Sequence, residues 1–426
     1  MDKSHQTKAF RRERVRVGVV GVGGFGRSHL GAVESLASAG RAHLVAVADP
    51  FREQHVELDS RLSAQGVAWH STLEEMLEKE TLDAITIATP VPLHFGMTRR
   101  AVEKGVFVYL EKPPVPLLSQ LDEMIAWDED FRVAVGFQLI YSEPIRFLKQ
   151  AILDGKLGTV RSIRGGAAAP RRQSYYNRAS WAGRMSINGE PVFDGPMTNA
   201  LAHVLQNILF LGGGDAWSFA RPTSLRGELY RCYPVESFDT SCVRGVLDTG
   251  VEFAFAGSHA VRDESPHTLE VVGTRGTLRL TGGTFSSDIP GLELPQHAGS
   301  DVPMLASVSR FMDYVCGQPE TDIIRLEDTR GFVETTNGTL VSSRGIFPLD
   351  ARFVESYQVE GDPGLDVLGL GDLITQTITT GRLFSENSAP WANRTPTVTR
   401  EEIQSAVLEE WIFGAEENPK NATACL

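Results

Sequence analysis

With 426 residues, the chain is too long for one ordinary hydrophobic core, so its length indicates two domains. Hydrophobic residues make up 42% and charged residues 22%, which is ordinary for a globular protein, and no apolar stretch is long enough to span a membrane. The formal net charge of −13 argues against nucleic-acid binding, because a polyanion would be repelled. We therefore expect a globular protein that binds neither nucleic acid nor membranes.

The chain begins with a polar, basic segment, residues 1–14, which lacks the apolar region of a secretory signal. The cysteines are scattered and form no CxxC pair, so we expect neither a disulfide framework nor a zinc ribbon. They are Cys232, Cys242, Cys316 and Cys425. A cytoplasmic location fits both observations. The sequon at Asn421 is then a chance match, and the polar end after about residue 415 is expected to be mobile.

The first 138 residues alternate between short apolar runs and helical periodicity. Predicted strands cover 15–20, 44–48, 84–88, 106–110 and 133–137, and predicted helices cover 27–39, 71–77, 95–104 and 117–127. Ser71 and Glu74 have the spacing of a capping box at the start of the second helix. Strands that alternate with helices are typical of an α/β, doubly wound parallel sheet. We predict such a domain over residues 1–138.

A glycine-rich motif joins the first predicted strand to the first helix. Gly21 permits a tight turn, Gly23 lets the backbone approach a pyrophosphate, and Gly26 lets the helix pack closely on the strand. The phosphates would face amide groups at the helix N-terminus. We therefore predict a Rossmann domain that binds a dinucleotide through Gly21, Gly23, Gly24, Phe25 and Gly26.

The next predicted strand ends in Asp49, which can accept hydrogen bonds from the adenosine ribose hydroxyls. A carboxylate there would repel a 2′-phosphate, so NAD is favoured over NADP. Arg52, three residues later, partly offsets this preference, and NADP stays open as the alternative cofactor. A glycine-rich turn without a ligand is the other interpretation, which the strand–helix context and Asp49 disfavour.

Residues 139–426 have a different pattern. Helices are predicted over 143–153, 197–211, 304–316 and 326–343, and strands near 160–164, 224–232, 241–247, 251–256, 268–272 and 277–280. Residues 281–300 are rich in glycine and serine and are predicted to form a loop. The strand spacing predicts a C-terminal α+β domain, residues 139–426, with a large, mostly antiparallel sheet.

Two further motifs carry a resemblance to a known family. Ala88-Thr89-Pro90 precedes His94, and residues 109–114 read Tyr-Leu-Glu-Lys-Pro-Pro at the end of a predicted strand. With the glycine motif, they resemble the glucose–fructose oxidoreductase, inositol dehydrogenase and rhizopine-catabolism (Gfo/Idh/MocA) family over about residues 15–349. The resemblance implies a homodimer or homotetramer whose C-terminal sheet serves oligomerisation. It also implies cofactor contacts by Thr89, Pro90, His94, Glu111 and Lys112.

The resemblance also implies catalytic roles. In the family, the lysine matched by Lys112 reaches the substrate hydroxyl and the nicotinamide, and the peptide bond to the next residue, here Pro113, is often cis. The family's second segment reads Asp-x-Gly-x-His. In this chain His203 matches the histidine, whereas Asn199 replaces the aspartate and Leu201 replaces the glycine.

Oxidation of an alcohol needs a base for the hydroxyl proton, and histidine suits that task, while a lysine ammonium stabilises the developing alkoxide. Asn199 and His203 are four residues apart and would share one helical face. Asparagine can orient the imidazole but supplies no charge, so Asp194 is a candidate substitute carboxylate. The alternatives are a surface pair for Glu111 and Lys112, and a core histidine for His203.

Residues 171–184 are rich in Tyr, Trp and Arg, which pack against sugar surfaces and hold hydroxyls or carboxylates. An ordinary exposed loop is the alternative. The residues predicted to bind substrate are Tyr176, Arg178, Trp181 and Asp194. No metal is expected, because the spacing of His259 and His267 fits no zinc signature.

Together these features predict hydride transfer between a nicotinamide, NAD or NADP, and a secondary alcohol of a sugar, cyclitol or related polyol. One alternative is a redox-assisted glycosidase or epimerase, which holds NAD tightly and regenerates it in every turnover. The other is a cofactor-binding regulator without turnover. Asn199 favours the regulator, whereas Lys112 and His203 argue against it.

Overall fold

The computed structural model describes residues 14–295, 303–318 and 321–413. Contacts between residues divide it into two units. Of the described residues, the first unit contains 14–115, 119–142, 303–318 and 321–329, and the second contains 116–118, 143–295 and 330–413. Residues 303–318 and 321–329 thus lie in the first unit, although they fall within the C-terminal domain predicted over 139–426. Residues 1–13, the sequon, Cys425 and the predicted mobile end lie outside the described residues.

The strands in the described residues are β1 (Val15–Val20), β2 (Ala42–Ala48), β3 (Ala68–His70), β4 (Ala84–Ile87), β5 (Phe107–Glu111), β6 (Val133–Gly136), β7 (Val160–Ala168), β8 (Ser186–Ile187), β9 (Glu190–Pro191), β10 (Pro222–Arg231), β11 (Thr240–Leu247), β12 (Glu252–Ser258), β13 (Thr268–Gly273), β14 (Gly276–Thr281), β15 (Thr284–Ser287), β16 (Phe347–Pro348), β17 (Val354–Val359), β18 (Asp362–Val367) and β19 (Val398–Thr399).

The α-helices in the same residues are α1 (Gly26–Ser38), α2 (Val56–Ala64), α3 (Leu73–Lys79), α4 (His94–Glu103), α5 (Leu118–Trp127), α6 (Glu143–Leu153), α7 (Gln173–Asn177), α8 (Ala202–Gly212), α9 (Pro303–Val315), α10 (Arg330–Ser343), α11 (Leu370–Thr380), α12 (Arg400–Ser405) and α13 (Glu409–Phe413).

The first unit is built on a six-stranded parallel sheet in the order β3-β2-β1-β4-β5-β6. Every residue of β4 and β6 is buried, as in parallel sheets that are covered on both faces. The predicted doubly wound sheet is therefore confirmed. Because all six strands run in the same direction, the loops that follow β1, β2, β4 and β5 leave from one edge of the sheet.

Helix α9 completes the core of the first unit, although it lies far along the chain. Leu30 and Val33 of α1 share one buried cluster with Val308, Phe311 and Met312 of α9. Five such side chains contribute on the order of 10 kcal/mol by removal of apolar surface from water. This nonlocal packing explains why α9 groups with the N-terminal sheet.

One predicted helix start is wrong by a residue. We expected Ser71 and Glu74 to form a capping box, but α3 begins at Leu73 and its N-cap is Thr72. The Thr72 side chain accepts from the backbone N–H of Glu75 at 3.2 Å, and the N–H of Ser71 donates to the Glu75 carboxylate at 3.0 Å. Both residues of the capping interaction are thus shifted by one position.

The second unit contains a nine-stranded sheet in the order β15-β14-β13-β7-β12-β11-β10-β16, with β19 also paired to β10. Most pairings are antiparallel, and β7–β12 and β10–β16 are parallel. The predicted mostly antiparallel sheet is confirmed. The loop predicted over 281–300 is wrong at Thr284–Ser287, because these residues form β15 and pair with β14. Residues 296–300 lie outside the described part.

Successive residues of β7 face opposite sides of this sheet. A Cβ atom on Gly165 would lie 2.9 Å from the Val204 side chain of α8, so Gly165 faces α8. The neighbouring Arg164 donates to the backbone oxygen of Thr379 in α11. Helices α8 and α11 therefore cover opposite faces of the same sheet.

The face that carries α11 is covered further by residues 347–392 of the same chain. The Trp391 ring packs 4.9 Å from the Tyr230 ring of β10, and Glu386 bridges Arg226 and Arg244 at 2.9 and 3.1 Å. Much of this face is thereby buried within the chain. That the sheet serves a homodimer or homotetramer stays a prediction.

Candidate active site

The glycine motif forms the loop between β1 and α1. Gly21 and Gly24 have φ values of +81° and +48°, in the left-handed region that side chains disfavour. Gly26 has another constraint, because a Cβ atom there would lie 2.1 Å from the backbone oxygen of Gly21. The loop therefore needs small residues at these positions to bring α1 close to the end of β1.

Backbone N–H groups at the start of α1 remain open to a ligand. Within the described residues, the N–H groups of Gly23, Gly24 and Phe25 donate to no protein acceptor. They lie at the positive end of the α1 dipole. A pyrophosphate supplies the anionic acceptors that such a loop lacks, so these residues fit a dinucleotide.

Asp49 directly follows β2, at the same sheet edge as the glycine loop. Its Oδ2 accepts from the N–H of Val22 at 3.0 Å, and its Oδ1 accepts from the N–H of Phe51 at 2.9 Å. These bonds fix the buried carboxylate beside the loop. Arg52, expected to offset the charge of Asp49, instead forms a two-bond ion pair with Asp59 at 2.9 and 2.8 Å.

Two segments at this edge are joined by His94. Its Nε2 lies 2.9 Å from the backbone oxygen of Thr89, next to Pro90, and its Nδ1 lies 2.9 Å from the backbone oxygen of Pro113. His94 is fully buried, and burial lowers the pKa of its imidazole. The Lys112–Pro113 peptide bond is cis, as the resemblance implied. His94 thus braces the backbone, a role that the sequence motif does not reveal.

Lys112 lies immediately after β5 beside two other ionisable groups. Its Nζ is 4.0 Å from Oε1 of Glu111, whose Oε2 is 3.0 Å from Nε2 of His29. Both Glu111 and His29 are buried. His29 is not among the residues predicted from the sequence; its only sequence signal is its place three residues after Gly26, on the helix that the glycine motif opens.

In the second unit, His203 lies in the first turn of α8 and is buried. The helix predicted over 197–211 begins only at Ala202, because the N–H of Leu201 donates to the oxygen of Pro196, five residues back, at 2.7 Å. This wide turn is not α-helical. The prediction that Asn199 and His203 share a helical face is therefore wrong.

Asn199 is held by an acidic neighbour. Its side-chain nitrogen donates to Oδ1 of Asp194 at 2.9 Å, and Oδ2 of Asp194 accepts from the N–H of Gly183 at 2.8 Å. Asp194 is buried, so both hydrogen bonds compensate a carboxylate removed from water. A carboxylate thus lies beside the asparagine that replaces the family's aspartate.

The aromatic segment contains the short helix α7 rather than an ordinary loop. Tyr176 is buried and its hydroxyl lies 3.5 Å from Nδ1 of His259; burial raises the pKa of Tyr176 and lowers that of His259. Arg178 is exposed, with its guanidinium 3.4 Å from the Tyr175 ring centre and 4.9 Å from that of Trp181. Tyr176 therefore packs in the core, whereas Arg178 lies at the surface.

Residues 14–295, 303–318 and 321–413 contain no group of three His, Cys, Asp or Glu side chains placed to hold a metal ion. No helix in this part of the chain has both the length and the hydropathy that a membrane crossing needs. Cys232, Cys242 and Cys316 are free thiols.

Two family models match the chain. One is described as an oxidoreductase family with an NAD-binding Rossmann fold and matches residues 15–137. The other is the GFO/IDH/MocA C-terminal domain and matches residues 145–279. Residues 347–392, which cover the second sheet, lie outside both matches.

Curated relatives are similar over part of their length. An inositol 2-dehydrogenase of Streptomyces avermitilis is 32% identical over 145 residues, which is 33% of this chain and 41% of that protein. A D-apiose dehydrogenase of Paraburkholderia graminis is 27% identical over 286 residues, 63% of this chain and 68% of that protein. The chain spans 62% of an uncharacterized oxidoreductase of Synechocystis, so it covers less than two thirds of this relative and of the inositol 2-dehydrogenase.

A solved structure shares the fold. The WlbA dehydrogenase from Bordetella pertussis, in complex with NADH and UDP-GlcNAcA, has a TM-score of 0.64 at 20% identity, covering 78% of this chain and 97% of that one. The two family matches and the parallel sheet with its glycine loop lead to one conclusion: the chain belongs to the Gfo/Idh/MocA oxidoreductases, whose N-terminal domain has an NAD-binding Rossmann fold.

Proposed function

We propose that this chain catalyses NAD-dependent hydride transfer to or from a secondary alcohol of a sugar, cyclitol or related polyol. The main support is the place of Lys112, at the sheet edge that also carries the glycine loop and Asp49. Ligands of open parallel sheets bind outside the carboxyl ends of the strands. A lysine next to a buried carboxylate at that edge is suited to chemistry on a bound ligand rather than to a surface ion pair.

The cofactor preference rests on Asp49. Its buried carboxylate can accept from ribose hydroxyls and would repel a 2′-phosphate. Arg52 is engaged by Asp59 and is not free to offset that charge. These contacts support NAD over NADP.

NAD supplies a hydride acceptor when it is bound. In oxidation, the Lys112 ammonium stabilises the negative charge that develops on the substrate oxygen. A ring nitrogen of His203 takes the hydroxyl proton and returns it in the reverse reaction. The carboxylate of Asp194, which accepts from the side chain of Asn199, supplies the negative charge that the family's aspartate would carry in this segment.

The proposed substrate class is supported by the relatives, among which are an inositol 2-dehydrogenase and a D-apiose dehydrogenase. Arg178 and Trp181, on the surface of the second unit, offer a guanidinium and an aromatic face for a polyhydroxylated ligand. The Asp194–Asn199 contact argues against a non-catalytic regulator, because the chain keeps a carboxylate next to the substituted position.

The test is NADH formation by the purified chain with NAD and a panel of sugars, cyclitols and glycosides. Lys112→Ala should lower kcat at least about 100-fold, because one stabiliser of the developing charge is lost. Its dissociation constant for NAD should stay within about threefold. Lys104→Ala, at an exposed lysine of the same unit, is the matched control and should behave as wild type.

Each outcome separates the candidates. NADH formation that depends on Lys112 establishes the dehydrogenase. Conversion of a glycoside without NADH, detected by mass spectrometry, points to the self-recycling glycosidase or epimerase. Tight NAD binding without turnover of any compound, even after Asn199→Asp, contradicts the proposal and favours the regulator.

A further inference from the structure

A buried histidine lies behind the Glu111–Lys112 pair, outside the motifs that define the family resemblance. His29 and Glu111 are 82 residues apart in the chain, yet Nε2 of His29 lies 3.0 Å from Oε2 of Glu111. The other carboxylate oxygen faces Lys112 at 4.0 Å. We propose that His29 is a positioning residue: it holds Oε2 of Glu111, so that Oε1 of the same carboxylate fixes the Lys112 ammonium. This inference rests on the proposed function.

The chemistry of the contact determines where the proton lies. An ionised carboxylate only accepts hydrogen bonds, so Nε2 of His29 must carry the proton that it donates to Glu111. Within the described residues, Nδ1 of His29 has no hydrogen-bond partner. The ring is held by edge contacts with Phe25 and Tyr109, whose ring centres lie 5.9 and 5.5 Å away. His29 is therefore held in one orientation, in which its Nε2–H donates to Glu111.

Glu111 depends on this donor. Its side chain is only 10% exposed, and a buried carboxylate oxygen without a donor is costly. In the described part of the chain, His29 and Lys112 are the polar partners of this carboxylate. A Cβ atom on Gly136 would lie 3.2 Å from Oε2, so the backbone of β6 packs closely against this carboxylate oxygen.

His29 does not act by contact with a cofactor or substrate. It lies in the first turn of α1 and is fully buried, so a bound ligand cannot reach it. Loss of its N–H would leave Oε2 without a donor and allow the carboxylate to rotate away from Lys112. The ammonium would lose a fixed counter-charge at the sheet edge, and both its position and its protonated fraction would change.

Three variants test this chain of contacts. His29→Leu removes the donor at similar volume, whereas His29→Gln keeps an N–H at about the reach of Nε2, and Glu111→Gln removes the charge directly. The first readout needs no substrate: the rate at which acetic anhydride labels Lys112 at mildly alkaline pH, measured by peptide mass spectrometry. Exposed Lys104 is the internal reference.

Only the neutral amine reacts, so a fixed carboxylate slows labelling of Lys112. We expect His29→Leu and Glu111→Gln to raise the rate relative to Lys104 at least about threefold, and His29→Gln to stay within about twofold of wild type. The double variant His29→Leu/Glu111→Gln should label no faster than Glu111→Gln alone, because both changes remove the same contact. If His29→Leu does not fold, His29→Asn, too short to reach Oε2, replaces it.

Once a substrate is found, His29→Leu should lower kcat at least about tenfold while KM for NAD stays within about twofold, and His29→Gln should restore kcat. Unchanged Lys112 labelling in folded His29→Leu overturns the inference whether or not a substrate is known. Altered labelling in a protein that turns over no substrate supports the positioning role and contradicts only the proposed function.

Discussion

The buried lysine of α6 provides a test of how helix α8 is held. Nζ of Lys149 donates to the backbone oxygens of Phe210 at 2.7 Å and Gly213 at 2.8 Å, at the end of α8 opposite His203. The Phe210 oxygen also accepts from the backbone N–H of Gly213 at 3.1 Å, so Lys149 adds a second donor at this buried helix terminus. Lys149 is 2% exposed, and its burial lowers the pKa of the ammonium to about 8.

This pKa predicts how stability depends on pH. Below the folded-state pKa, Lys149 is protonated in both states, and the folded protein bears the full cost of a buried charge. Between that pKa and the ordinary value of 10.5, the unfolded chain binds a proton that the folded chain releases, so stability rises with pH. From about pH 7 to about pH 9.5 the gain is about 2 kcal/mol. The neutral amine still has two N–H groups for the two carbonyls.

The assay compares wild type with Lys149→Met in urea unfolding at both pH values. Comparison at equal pH cancels the other titrating groups. The free energy of unfolding of the wild type, minus that of Lys149→Met, should grow by about 2 kcal/mol at the higher pH. Lys156→Met, at an exposed lysine of the same unit, should show no such change. An unchanged difference for Lys149→Met would refute the buried-charge reasoning.

Two further variants test the glycine loop and the sheet cover. Gly26→Ala should weaken NAD binding at least about tenfold in calorimetry, because its Cβ would lie 2.1 Å from the Gly21 oxygen. The control is Gly31→Ala on the same helix, where an added Cβ would meet no atom within 4 Å, and this variant should bind NAD within about twofold of wild type. Equal NAD affinities of the two variants would contradict this account. Trp391→Ala should lower the free energy of unfolding by about 3–5 kcal/mol, because the ring is 8% exposed and packs on Tyr230. A loss below about 1 kcal/mol in urea unfolding would show that residues 347–392 are not an integral cover.

Much of the fold was predictable because its signals are local. The alternation of apolar runs with helical periodicity marks the strands and helices of the parallel sheet, and each element encodes its own period. The glycine motif is equally local. Gly21 adopts the positive φ of the turn after β1, and Gly26, the first residue of α1, packs against the backbone of Gly21. Because Asp49 and Lys112 each follow a strand of the parallel sheet, the strand direction alone places both residues at one edge.

Other features depend on packing between distant residues, which periodicity does not encode. The packing of α9 on α1, and the covering of the second sheet by residues 347–392, follow from which apolar faces meet. The late start of α8 comes from the wide turn at Pro196, which breaks the helical spacing predicted to place Asn199 and His203 on one face.

The sequence alone thus determined the parallel sheet, the dinucleotide motif and the family, because neighbouring residues carry those signals. Only the tertiary structure decided which side chains support Lys112. His29 and Glu111 meet across 82 residues because α1 and β5 pack in one unit, and a helix that begins at Gly26 brings its buried histidine under the end of the strand. Such a contact depends on three-dimensional packing, for which a single sequence has no local signature.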